Sequence, residues 1–477
     1  MVFASPLFLF AFLPLALALY YLTPSRARNF TLLCLSLAFY GWGERQWVIV
    51  MLASIALNWL GALGVEQLAG QARQKWLLAA VIGLNLSALA CFKYGDFAID
   101  NLNALLTPLG VAPFPRANLH LPLGISFFTF HAISYVVDVY RKESQALETP
   151  LDTALYIALF PQLIAGPIIR YHYIEEQLKK RSPALSDVAY GVQRFVWGLA
   201  KKVLVANVVA KCADEVFALS PAQLGFGVAW LGVLAYALQI YFDFSGYSDM
   251  AVGLGRMFGF RFPENFNYPY VARSITEFWR RWHISLSSWF RDYLYIPLGG
   301  NRVSKARTYV NLITVFLLCG LWHGASWAFV IWGALHGLFL VLERSPLGKA
   351  LGALPRALQH VYALVVVCVG WVFFRAPDAT FALHFLKALA GLSQGSPASH
   401  PFTLFFTPAV ACAGVIGLVL STPVAARLQA RFESAAPRPA SVLLWRFASV
   451  CSIFVLFTLS AAYLATRTYN PFIYFRF

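Results

Sequence analysis

The stretch Tyr309-Val-Asn-Leu-Ile-Thr-Val-Phe-Leu-Leu-Cys-Gly-Leu-Trp-His-Gly-Ala-Ser-Trp-Ala-Phe-Val-Ile-Trp-Gly333 is among the most apolar in the chain, and a histidine, His323, stands in its middle. Charging an imidazole in such surroundings is costly, and titratable side chains at membrane depth are candidates for function by default. Apolar surroundings favour the neutral ring, which keeps one nitrogen as a proton acceptor. The plainer reading is a hydrogen bond between two helices, which histidines in membrane bundles also make.

The rest of the chain resembles this stretch. Hydrophobic residues make up 59% of 477 positions and charged residues 12%, with a mean hydropathy of +0.64, well outside the soluble range. Long apolar runs recur at Pro6–Thr23, Leu32–Tyr40, Trp47–Val65, Trp76–Phe92, Leu121–Tyr140, Gly225–Phe242, Ala328–Leu342, His360–Phe374 and Val442–Leu464. Several approach the ~20 residues that span a hydrocarbon core. The runs are continuous, whereas a membrane barrel would alternate over ~10-residue segments. An all-α polytopic membrane protein is expected, with residues 1–477 as a single membrane domain. No Lys or Arg precedes the first run, while Arg26 and Arg28 follow it, the reverse of a cleaved secretory signal. The positive-inside rule then puts the N-terminus outside and these arginines in the cytoplasm.

The chain carries 37 Lys+Arg against 21 Asp+Glu, a formal charge of +16. The cations flank membrane runs rather than covering a soluble domain, so lipid headgroups are the expected partner and nucleic acid is not. The seven cysteines form no CxxC pair, which argues against a disulfide framework or a metal site. Polar residues gather in Gly124–Asp138, in Phe160–Pro167 and in Asp243–Asp249, so a polar central bundle with lipid-facing flanks is expected. The Phe-Pro and Gly-Pro breaks at 160–167 predict bent or re-entrant backbone buried in protein. Gly391–Pro401 reads as a loop.

Upstream of His323 runs Phe278-Trp-Arg-Arg-Trp-His-Ile-Ser-Leu-Ser-Ser-Trp-Phe290, which holds a second histidine, His283. At helical spacing Trp282, Ser285, Leu286 and Trp289 share one face and the arginines another, the pattern of an interfacial amphipathic helix. The surrounding stretch Arg256–Arg307 contains nine Lys and Arg against three acids, and its core, 261–308, reads as a basic, aromatic cytoplasmic segment. A cup of cations suits a polyanionic thioester such as a coenzyme A ester. A buried base beside it could deprotonate a hydroxyl as that thioester is attacked, a role worth roughly 10²–10⁴-fold. Asp138, Asp243 and Asp249 need partners at membrane depth, with Arg141, Arg256 and Arg261 as candidates. His131 and His336 are also embedded, and His336 is expected to support the site rather than form it. No GxSxG or HExxH motif is present, so the usual soluble esterase chemistry is not carried here.

The ordered set Phe278-Trp-Arg-Arg-Trp-His-Ile-Ser-Leu286, Pro297-Leu-Gly-Gly-Asn301 and Leu321-Trp-His-Gly324 resembles the membrane-bound O-acyltransferase family. Ser5–Phe10, Phe39–Glu44, Pro122–Phe130, Phe160–Pro167, Tyr241–Asp249, Phe373–Ala376 and Pro471–Phe475 extend the resemblance over the whole chain. It is closest to the branch that serves alginate acetylation, with cellulose, peptidoglycan and D-alanyl transfer relatives. The resemblance implies roughly 11–13 transmembrane or re-entrant helices around a central tunnel, with His323 as the active-site histidine and His283 beside it. It also implies a bacterial inner-membrane enzyme that uses cytoplasmic acetyl-CoA and holds no bound cofactor. Separate periplasmic acetyltransferases would receive the acetyl group. The substrate-binding set expected around the histidines is Trp322, Trp282, Arg280, Arg281, Asp243 and Ser245. The competing readings are a proton-coupled transporter, whose relays also use buried His and Asp, and a non-catalytic scaffold for an exporter.

Overall fold

In hydrocarbon a backbone N–H or C=O has no water to turn to, so an apolar run satisfies itself as a helix. The computed structural model describes residues 2–393, 401–434, 439–466 and 469–472, and among them regular structure is helical with no strand. Five helices are long and apolar enough to cross a membrane, or up to seven if each of two bent pairs is one span. Three shorter apolar helices, Phe8–Leu22, Ile125–Tyr140 and Ala379–Leu389, accompany them. His400, most of the expected loop Gly391–Pro401 and all but two residues of Pro471–Phe475 lie outside the described residues.

The chain forms two compact units, Met1–Val192 with Ala251–Pro263, and Gln193–Met250 with Glu264–Phe477. In the first, the helix Ile125–Tyr140 is buried along nearly its whole length, and several of its polar groups are matched, although His131 Nδ1 meets no hydrogen-bond partner among the described residues. Ser134 Oγ donates to the His131 carbonyl at 2.8 Å. His131 Nε2 accepts the Ile169 N–H at 3.3 Å. Asp138 takes both the backbone N–H and the Nδ1 of His172, at 3.2 and 2.9 Å, a partner the sequence did not suggest. Arg256, one of the cations considered for these aspartates, pairs instead with Asp187 at 2.8 Å. The break at 160–167 is real. Phe160–Leu163 is a single helical turn, and the Gln162 side chain donates to the Tyr156 carbonyl to support the irregular backbone that follows.

In the second unit, close helix contacts are made by glycine. A Cβ at Gly198 would stand 2.5 Å from the Gly246 carbonyl oxygen, so the two helices touch backbone to backbone. The helices Lys305–His323 and Trp327–Glu343 form an antiparallel pair on the same plan. A Cβ on Gly320 would collide with the Phe329 carbonyl, and one on Gly333 with that of Phe316. Small residues allow this approach where no hydrophobic force between helices exists to replace it. The pair matters because His323 is the last residue of its helix, so the crossing sets where the imidazole stands. Gly333→Val is expected to force the pair apart at a cost of about 1–3 kcal/mol or more. Thermal unfolding of the detergent-solubilised protein should show a clear loss, and an unchanged transition would contradict the packing described.

Candidate active site

The site is built in the second unit from Glu264–Phe290, the middle of the helix Phe226–Met257 and the helices Lys305–His323, Trp327–Glu343 and Arg356–Arg375. Ser274 caps the short helix Ile275–Arg281 by accepting the Glu277 N–H. Glu343 adds a carboxylate that accepts the Ile275 and Thr276 N–H groups at 2.5 and 2.9 Å, the Thr276 hydroxyl at 2.6 Å and the Tyr362 hydroxyl at 3.2 Å. The free N–H groups of the first turn and the positive end of its dipole are thereby met. Glu277 stays acidic. Burial pushes its carboxyl up, but the Arg273 N–H and the Arg281 guanidinium outweigh that and hold it below the usual range.

The expected continuous amphipathic helix over this region is interrupted. Ile275–Arg281 ends and Ile284–Phe290 begins on either side of Trp282 and His283, and His283 has φ +42°. A non-glycine residue there carries about 1–2 kcal/mol of strain. Such strain persists only where surrounding bonds fix it, and it is a pointer to function. Asn265 supplies the bonds. Its backbone carbonyl accepts the Ile284 N–H at 2.9 Å. Its side-chain oxygen accepts from His283 Nδ1 at 3.1 Å, the Ser285 N–H at 3.2 Å and the Ser285 hydroxyl at 2.9 Å.

The turn drives His283 inward until it is fully buried. Phe244 lies edge-on to its ring at 4.6 Å, and Trp322 is 6.4 Å away. Trp322 in turn lies 4.8 Å from His323, whose ring also meets Trp332 and Phe374 edge-on, each at 5.0 Å. The two histidines therefore share one aromatic neighbour inside a cage of rings. Burial alone pushes the His283 imidazole well below the usual histidine range, so the ring is neutral.

The other expected residues divide. Trp282 is buried in an aromatic stack, parallel to Phe278 at 5.5 Å and 4.9 Å from Trp371. Arg281 is tied to Glu277 at 2.9 Å and to the Asn267 carbonyl at 3.0 Å. Arg280 is exposed and has no partner among the described residues. Asp243 and Ser245 flank Phe244 on a helix, so their side chains leave it about 100° to either side. Asp243 pairs with Lys202 at 2.6 Å. Asp249 takes Arg194 and Lys201, at 2.7 and 2.6 Å. His336 accepts the Trp279 indole N–H at 3.3 Å and belongs to the packing beneath the site. Of the nine cations in Arg256–Arg307, only Arg280, Arg302, Lys305 and Arg307 remain unpaired among the described residues. Lys202 and Asn265 escaped the sequence reading. Lys201-Lys202 inside the apolar stretch Phe195–Ala206 was a usable signal; Asn265 offered none.

The two buried imidazoles thus share one cage of rings inside a multi-pass helical membrane protein. The model of the membrane-bound O-acyltransferase family matches residues 109–348, a range that contains both histidines, and the chain belongs to that family of O-acyltransferases. It is 43% identical, over the full length of both chains, to a protein of Azotobacter vinelandii described as a probable alginate O-acetylase. It is 39% identical to a peptidoglycan O-acetyltransferase of Helicobacter pylori, covering 82% of this chain and 80% of that one. A teichoic acid D-alanyltransferase of Streptococcus thermophilus is 32% identical over 48% of this chain and 58% of its own.

Glu343→Ala would leave four donors without their acceptor and is expected to lower stability by about 2 kcal/mol. Glu343→Gln, which keeps one oxygen, should lose less. Paired unfolding curves check this, and an unchanged transition in Glu343→Ala would remove Glu343 from the support of the site.

Proposed function

We propose that this protein takes acetyl groups from acetyl-CoA on the cytoplasmic side of the bacterial inner membrane and delivers them to the outer side for O-acetylation of a polysaccharide. The observation that carries the chemistry is the burial of His283 and His323 around Trp322. In the reaction a hydroxyl oxygen bonds the acyl carbon, the carbon–sulfur bond breaks, and the imidazoles carry the hydroxyl proton to the departing thiolate. Excluding water from the cage strengthens each polar interaction within it and protects the thioester from hydrolysis.

The basic end of the helix Lys305–His323 supports an orientation. Its nineteen residues rise 1.5 Å each, so Lys305 and His323 stand about 27 Å apart along the axis, close to the thickness of a hydrocarbon core. Arg302, Lys305 and Arg307 then meet the phosphates or anionic headgroups at the cytoplasmic face, while His323 lies towards the opposite side. The N-terminus would be periplasmic on the same positive-inside argument.

Alginate is the proposed final acceptor, reached through periplasmic acetyltransferase partners, because the relative with full-length coverage and 43% identity carries that description. The peptidoglycan relative supports a second acceptor at slightly lower identity and coverage. Purified protein that acetylated free alginate unaided would remove the need for a partner.

Labelled acetyl-CoA given to the purified protein with its periplasmic partners should yield acetylated polymer, and His323→Ala should abolish the transfer while leaving the protein folded. A folded His323→Ala protein with intact transfer would overturn the assignment. His283→Gly, which tolerates the left-handed backbone, should still lose turnover by roughly 10²-fold or more, separating chemistry from strain. Arg280→Ala is expected to raise the KM for acetyl-CoA with little change in unfolding temperature, whereas Arg281→Ala should lower that temperature. Steady-state kinetics beside thermal melts distinguish the two arginines.

A further inference from the structure

Asn265 does more than close a turn. Its side-chain oxygen faces the Ser285 backbone N–H at 3.2 Å, and a backbone N–H can only donate. The orientation of the carboxamide follows, since the reversed amide would set two donors against each other. Its nitrogen points the other way and donates to Ser248 Oγ at 3.0 Å. The oxygen that faces His283 Nδ1 at 3.1 Å is therefore an acceptor, and Nδ1 carries the hydrogen. A neutral imidazole has one N–H, so Nε2 bears a lone pair. That nitrogen is buried and meets no hydrogen-bond partner among the described residues.

We infer that Asn265 is a positioning residue that locks His283 in the Nδ1–H tautomer, so that Nε2 serves as a proton acceptor in acyl transfer. This rests on the function proposed above and assigns a role within it. Polarising the thioester carbonyl would need an N–H at Nε2, and the locked tautomer has none. The role left is acceptance. As the attacking oxygen bonds the acyl carbon and the carbon–sulfur bond breaks, the hydroxyl proton passes to Nε2. The sulfur leaves with the bonding pair and then takes that proton, which restores the neutral ring. Asn265 Oδ1 holds Nδ1–H throughout and steadies the transient imidazolium. Asn265 also holds the strained turn, through its carbonyl to the Ile284 N–H and its side chain to Ser285, so one residue sets both where the ring stands and which nitrogen is free.

The ring's neighbours make the test clean. The ring meets Asn265 and Ser285 at Nδ1, Phe244 from the helix Phe226–Met257 and Trp322 from the helix Lys305–His323, none of them charged. His323, beyond Trp322, is the other titratable group of the cage, and a change at Asn265 leaves it in its own contacts. Asn265→Asp keeps an acceptor for Ser285 and can accept from the Ser248 hydroxyl, but it places a carboxylate at Nδ1. An adjacent negative charge favours the imidazolium, so the ring would stay protonated to higher pH. Release of CoA thiol from acetyl-CoA by the purified full chain, with its periplasmic partners present, reads turnover. The acid limb of its kcat–pH profile is expected to move upward by at least about one unit in Asn265→Asp, with activity recovered at alkaline pH. Asn265→Leu, which leaves both tautomers open, should lower kcat about 100-fold or more with the KM for acetyl-CoA changed less than about threefold. A merely structural Asn265 would alter melting temperature and leave the acid limb in place. Wild-type turnover with an unmoved limb in Asn265→Asp overturns this inference alone. No CoA release by the wild type, with its partners present, overturns the acetyl-CoA assignment and the inference together.

Discussion

Buried backbone that leaves the helix must find partners within the protein, because each orphaned group there costs several kcal/mol. The segment Glu264–Phe290 is irregular up to the turn that follows Tyr268 and leaves the helix again at His283, both residues with positive φ. Asn265, Ser274 and Glu343 supply the partners, one at the turn and two at the helix start. Everything at the site follows from those bonds. They put Trp279 over His336, leave Arg280 exposed, and turn His283 into the ring cage that Trp322 and His323 complete. Without them the segment would be the continuous interfacial helix that its residue pattern suggests.

Much of the fold was legible because hydrophobic run length is a direct physical signal. The all-α class, the buried polar helix Ile125–Tyr140 and the broken backbone at 160–167 could each be read from composition and proline placement. The interruption at His283 could not. Helical periodicity across Phe278–Phe290 is intact on paper, and the break comes from Asn265, eighteen residues upstream, through bonds that leave no local trace. The expected pairing of Asp243 and Asp249 failed for a related reason. Arginines near in sequence were the natural candidates, whereas Asp243 and Asp249 are met by Lys202 and Lys201 from a helix some forty residues earlier.

The basic segment illustrates the difference between charge and available charge. Nine cations in a row suggest a cup for phosphates. Folding spends most of them on neighbours: Arg281 on Glu277, Arg291 on Asp292, Arg256 and Arg261 on Asp187. The four that stay open separate into Arg280, three residues from His283, and Arg302, Lys305 and Arg307 at the far end of the helix that ends in His323. The three at the far end suit the phosphates of a long, flexible donor whose thioester reaches the histidines, and Arg280 adds a cation beside the thioester end.

The measurement that bears most directly on the account is the structure of this protein with a non-cleavable thioether analogue of acetyl-CoA bound. The acyl carbon is expected in the cage formed by His283, Trp322 and His323, with the carbonyl within near-attack reach, about 3–3.5 Å, of the position a hydroxyl would occupy beside His283 Nε2. The phosphates should lie towards the basic end of the helix Lys305–His323. An analogue whose acyl group rests outside that cage, with the two histidines untouched, would contradict the assignment of the site.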